Sequence, residues 1–97
     1  MNRFGLPEDV LNDLKNILKK YPEIKKAKIF GSRAKGNFKR YSDIDLALFT
    51  KGNESIVSIV EEALDQLDVI YIFDVVDYDL ITNDELKSHI DRVGIEI

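Results

Sequence analysis

Apolar residues at Val10, Leu11, Leu14, Ile17, Leu18 and Tyr21 recur at helical spacing, with Asp13, Lys15, Lys19 and Lys20 between them. The pattern predicts a helix that opens at Pro7, where a missing N–H has no partner to lose, and closes before Pro22. "KAKIFG" follows as a short strand, and residues 36–41 read as a loop. "DIDLALF" alternates, placing Ile44, Leu46 and Leu48 on one face and Asp43, Asp45, Ala47 and Phe49 on the other. After a turn at "KGN", Ile56, Val57, Val60, Ala63, Leu64 and Leu67 give a second amphipathic helix. "DVIYIFDVV" is the longest β-type run, rich in branched and aromatic residues. Thr82-Asn83-Asp84-Glu85 has the form of a capping box opening a last helix through Leu86, Ile90 and Val93, and "GIEI" reads as a short final strand. This order predicts an α/β (α+β) fold, a small mixed sheet covered by helices.

The chain has 97 residues, enough for one domain, residues 1–97, with one modest core. Without cysteine it has no disulfide, thiolate metal ligand or Cys nucleophile, and a reducing cytoplasm is the expected setting. "MNRFGLPEDV" lacks the apolar centre of a signal peptide, and no apolar run approaches the ~20 residues of a membrane span. The net charge of −4 hides an asymmetry. Residues 1–40 carry eleven of the fourteen Lys and Arg against four acidic residues, and residues 41–97 carry three against fourteen. The charge pattern alone describes solvated faces of differing sign. Combined with the motifs below, it suggests a basic region for polyphosphate beside an acidic one for cations.

Asp43 and Asp45 lie two residues apart on a predicted strand, so both side chains point to one side. Carboxylates held together repel unless one takes a proton or a cation lies between them. Oxygen ligands of this kind suit Mg²⁺. Asp-x-Asp alone also describes an exposed turn, and Gly-Ser alone an ordinary bend. Here Gly31-Ser32 follows an apolar strand and opens a possible helical turn, where the hydroxyl and backbone N–H groups suit phosphate oxygens. Arg33 and Lys35 add positive charge, and ten residues separate Ser32 from Asp43, enough to loop back. Asp74, late in the third strand, is the expected third carboxylate, whereas Asp77 and Asp79 read as turn and solvent. The expected arrangement has Asp43 and Asp45 bridging two Mg²⁺ ions. Asp74 holds the ion that binds the acceptor oxygen and receives the acceptor's proton.

"GSRAKGNFKRYSDIDLAL" resembles the signature of the polymerase-β-type nucleotidyltransferases, in particular the minimal nucleotidyltransferase (MNT) domains of bacteria and archaea. The resemblance spans nearly the whole chain. It implies that Gly31 and Ser32 bind the triphosphate and that Asp43, Asp45 and Asp74 hold metal. It further implies transfer of NMP, usually from ATP, to a hydroxyl with release of pyrophosphate. Arg33 and Ser42 join the expected nucleotide-binding set, Ser42 by orienting the loop before Asp43. The departure is in size: larger relatives carry a further helical domain for the acceptor, so a shallow acceptor site, or one completed by another subunit, is expected. Many minimal members pair with a helical HEPN protein, and the resemblance implies an antitoxin that adenylylates a tyrosine of a HEPN ribonuclease. The alternatives are a non-catalytic antitoxin that neutralises its partner by covering it, and a small-molecule nucleotidyltransferase. His89 is expected as a partly exposed helical residue, Tyr41 as a loop aromatic that packs locally or stacks on a base, and Tyr71 as core. Lys39 and Arg40 read as solvated. An acidic chain without an aromatic-studded basic face is not expected to bind nucleic acid directly.

Overall fold

A computed structural model describes residues 2–97. Helix α1 (Glu8–Lys19) leads into strand β1 (Lys26–Phe30), the short helix α2 (Gly31–Lys35) and strand β2 (Ile44–Phe49). Helix α3 (Glu54–Asp65) then precedes strand β3 (Phe73–Asp77), helix α4 (Asp84–Val93) and strand β4 (Ile95–Glu96). The sheet order is β3-β2-β1-β4. β1 runs antiparallel to β2 and β4, while β3 runs parallel to β2, so the sheet is mixed as expected.

The alternation in β2 divides the core. Ile44, Leu46 and Leu48 are fully buried and join Leu14 and Ile17 of α1 and Ile56, Val60 and Leu64 of α3 in the larger cluster. Each such side chain contributes about 1.5–3 kcal/mol through apolar burial. Ala47, on the opposite face, joins Phe30 and Ile90 of α4 in the smaller cluster. This second cover reaches only part of its face. The Asp45 end of β2 is left beside α2 and the loop that follows it.

Several element boundaries differ from the sequence reading. β2 starts at Ile44, so Asp43 stands just before the strand on which it was expected. α1 begins one residue after Pro7, which sits at the N-cap. The cap of α4 is Asn83 rather than Thr82, its side chain accepting from the N–H groups of Glu85 and Leu86 at 2.9 and 3.1 Å. β3 starts at Phe73, not Asp68. The β-type residues before it cross from α3 to the sheet without a strand partner, since β2 begins at Ile44, opposite Phe73. Asp77 is not in solvent: it is buried in β3, where the Thr50 hydroxyl donates to it and it accepts the Asp79 N–H at 2.9 Å. No helix among the described residues is long and apolar enough to cross a membrane.

Candidate active site

Sheet register brings Asp45 and Asp74 together. Asp45 of β2 lies opposite Phe30 of β1 on one side and opposite Asp74 of β3 on the other. Paired residues on neighbouring strands project to the same face, with backbones about 4.8 Å apart. Asp43 precedes Asp45 by two residues and is exposed just before the strand begins. Asp74 is also exposed, on a strand at the edge of the sheet, and Asp45 is half-buried between them.

Gly31 follows Phe30 directly and starts α2. Its φ is +70°, a conformation costly for residues with a Cβ, and an added Cβ would fall on the Asp45 carboxylate. The end of β1 and the middle of the Asp-x-Asp motif therefore touch, with glycine supplying the space. Ser32 is the next residue of α2 and is partly exposed. Gly31 thus sits beside Asp45, as the length of the intervening loop led us to expect.

The electrostatics of Asp45 follow from this placement. Its carboxyl is pushed from 3.8 up to about 6, by burial first and then by the charges of Asp74 and Asp43. No lysine or arginine offsets those causes. Among the described residues, no three acidic or histidine groups already form a closed metal cluster. Carboxylates of one sign repel one another when nothing positive lies between them. The donor set consists of carboxylate oxygens, its negative charge is uncompensated, and Asp45 rests where Gly31 leaves room. These features suit a hard divalent cation such as Mg²⁺.

Arg33 departs from its expected role. We read it as charge beside a triphosphate, but it is the largest fully buried side chain, at 1% exposure. Its guanidinium donates to backbone carbonyls of Phe4, Arg40 and Ser42 at 2.8, 3.2 and 3.0 Å. A buried donor group already engaged in this way has no open face for phosphate. Ser42 is likewise tied into its own loop, its hydroxyl accepting the Lys39 N–H at 2.8 Å, so its orienting role is the one the geometry favours.

His89 packs edge-on against Phe30, with ring centroids 6.0 Å apart, and is a partly exposed residue of α4. Tyr71 is partly buried against the larger cluster, close to its expected core position. Sequence reasoning missed the exposure of Ile70 and Ile72, at 65% and 67%, in the approach to Asp74. Tyr41, before Asp43, is exposed to a similar degree. Only the start of β2 reveals that "IYI" lies outside the sheet. A cleft of about 420 Å³ lined by Lys15, Lys19, Lys25 and Lys26 lies by the Lys26 end of β1, away from the aspartates.

Comparisons with known proteins bear on this arrangement. A solved structure of a toxin–antitoxin with AMP-PNP superposes with a TM-score of 0.63 at 23% identity, covering 88% of this chain and 69% of that one. A structure from Sulfolobus solfataricus, provisionally assigned as a nucleotidyltransferase, gives a TM-score of 0.48 at 22% identity, covering 92% and 82%. No curated protein matches the sequence. The sequence model of the family described as Polymerase beta, Nucleotidyltransferase matches residues 12–97, which include both strands and the turn that build the carboxylate site. On that match, the chain belongs to the polymerase beta nucleotidyltransferase family.

Proposed function

We propose that this protein transfers a nucleoside monophosphate, AMP from ATP, to a hydroxyl of a partner protein, with Asp43, Asp45 and Asp74 as its metal-holding carboxylates. The observation that carries the reading is the direct pairing of Asp45 with Asp74 across β2 and β3, beside Gly31. Two Mg²⁺ ions, when bound, would neutralise phosphate charge and favour in-line displacement. Asp43 and Asp45 would hold them from one side and Asp74 from the other. Gly31 and Ser32 would receive the triphosphate at the start of α2, where backbone N–H groups have no helical partner. The acceptor oxygen would attack the α-phosphorus, its bond to the β-phosphate oxygen would break, and pyrophosphate would leave. Asp74, exposed on the edge strand, would take the proton of the acceptor hydroxyl.

For the acceptor, Asp74 stands exposed on an edge strand, with Ile70 and Ile72 exposed in the segment before it, and this open surface supports a macromolecule. The structural similarity to a toxin–antitoxin supports an antitoxin role, and the resemblance of the sequence signature to MNT domains supports the finer reading, a tyrosine of a HEPN toxin as acceptor. The test is incubation with α-labelled ATP, Mg²⁺ and the product of the neighbouring gene. Label on that partner with intact protein, and none with Asp43→Asn/Asp45→Asn, is the expected result. Equal neutralisation of the partner by both forms, without label, would instead make the protein an antitoxin acting by binding.

A further inference from the structure

Arg33 is a buried cation held by backbone carbonyls, and no carboxylate is among its hydrogen-bond acceptors. Nε donates to the Ser42 carbonyl at 3.0 Å, Nη2 to Arg40 at 3.2 Å, and Nη1 to Phe4 at 2.8 Å and Gly5 at 3.4 Å. The rings of Phe38 and Tyr71 lie 5.2 and 5.0 Å from the guanidinium carbon. Burial pulls its pKa below the ordinary guanidinium value, and Tyr71 works against that fall. The group still carries charge at neutral pH.

One guanidinium therefore joins the N-terminal turn, α2, the approach to β3 and the loop between α2 and β2. That loop spans residues 36–43 and contains no helix or strand. Its other backbone ties include the Lys39–Ser42 pair, at 3.1 Å for the backbone bond and 2.8 Å for the hydroxyl. Ser42, whose carbonyl is fixed by Arg33, immediately precedes Asp43.

We propose that Arg33 is the positioning residue for Asp43: its guanidinium fixes the loop to the N-terminal turn and thereby sets where the first carboxylate of the pair stands. The inference rests on the reading of Asp43 as a metal ligand. Only arginine supplies a planar fork of donors to several carbonyls at once. Lysine concentrates its donors at one point and leaves some of these carbonyls without a partner. The N-terminal turn forms the far wall of the assembly. Gly5 has φ +68°, and a Cβ there would fall on the Phe38 ring, so Gly5→Ala strains the same clamp from the other side.

The test uses full-length wild type, Arg33→Lys and Gly5→Ala. Amide hydrogen exchange is followed in the metal-free proteins and Mn²⁺ binding is titrated separately. In both variants the Lys39 and Ser42 amides should exchange faster while those of Leu46 and Leu48 keep their protection. Mn²⁺ affinity should fall by about tenfold or more, as it does when a group behind a metal ligand is lost. Unchanged exchange at Lys39 and Ser42 in folded Arg33→Lys would overturn the clamp. Faster exchange with undiminished Mn²⁺ affinity would overturn the link to Asp43. If wild type itself binds no Mn²⁺, the metal reading fails, and with it this role for Arg33, whatever the exchange shows.

Discussion

Asp45 concentrates the electrostatic tension of the site in one carboxyl. Its folded pKa, raised to about 6, lies above its unfolded value of 3.8. The folded protein then binds this proton more tightly than the unfolded chain. The stability it contributes is fully present below pH 3.8 and is lost as pH rises through about 6. Asp45→Asn should therefore be more stable than wild type at pH 8 without metal, with the difference shrinking toward pH 4. Urea unfolding at both pH values checks this, and the variant should at the same time lose transfer. Gly31 is the complementary prediction. Gly31→Ala places a Cβ on the Asp45 carboxylate at φ +70°, and a cost of about 1–3 kcal/mol in unfolding free energy is expected. At this scale the sequence was informative about the aspartates and the glycine, because each has a spacing signature. It was misleading about Arg33, because a positive charge beside a Gly-Ser turn looks the same whether it meets phosphate or four carbonyls.

At the scale of elements, alternation in β2 was legible because one face meets two helices and the other, through Ala47, meets Phe30 and Ile90. The start of β3 was not legible. Val69, Ile70, Tyr71 and Ile72 have strand composition, but a strand requires a partner, and β2 offers none before Ile44. The Ile44 N–H reaches back to the Ile72 carbonyl at 2.9 Å, and pairing begins from there. Asp77 escaped for a related reason, since its partner Thr50 lies 27 residues earlier, at the far end of β2. The Thr50 hydroxyl donates to Asp77 and accepts the Asn53 N–H at 2.9 Å, tying the turn into α3 to the end of β3. Thr50→Val keeps the shape and leaves a buried carboxylate oxygen short of a donor, which costs about 1–3 kcal/mol. Thermal unfolding should show that loss. Leu48, the neighbour of Asp77 in register, belongs to the face opposite Asp45, so nucleotide binding by Thr50→Val should match wild type.

Over the whole molecule, the basic first forty residues suggested a positive platform beside the aspartates. The fold disperses it. Lys26 and Lys28 lie over the Phe49 ring at 4.6 and 5.6 Å, and Phe49 stacks on Tyr78 with centroids 4.4 Å apart. Lys26 is in register with Phe49, four residues along β2 from Asp45, about 13 Å of strand. That exceeds the screening length of about 8–10 Å in ordinary salt. No lysine is among the causes that set the Asp45 pKa, and Arg33 is enclosed. With no cation among the causes that set the Asp45 pKa, the proposed function assigns the neutralisation of Asp43, Asp45 and Asp74 to a bound cation. The most direct measurement is a crystal structure grown with Mn²⁺ and a non-hydrolysable ATP analogue, with manganese located by anomalous scattering. Manganese is expected between Asp45 and Asp74, within reach of Asp43, with the triphosphate against Gly31 and Ser32, and no such signal in Asp45→Asn. Nucleotide bound elsewhere on the surface, with no manganese at these carboxylates, would contradict the proposed function.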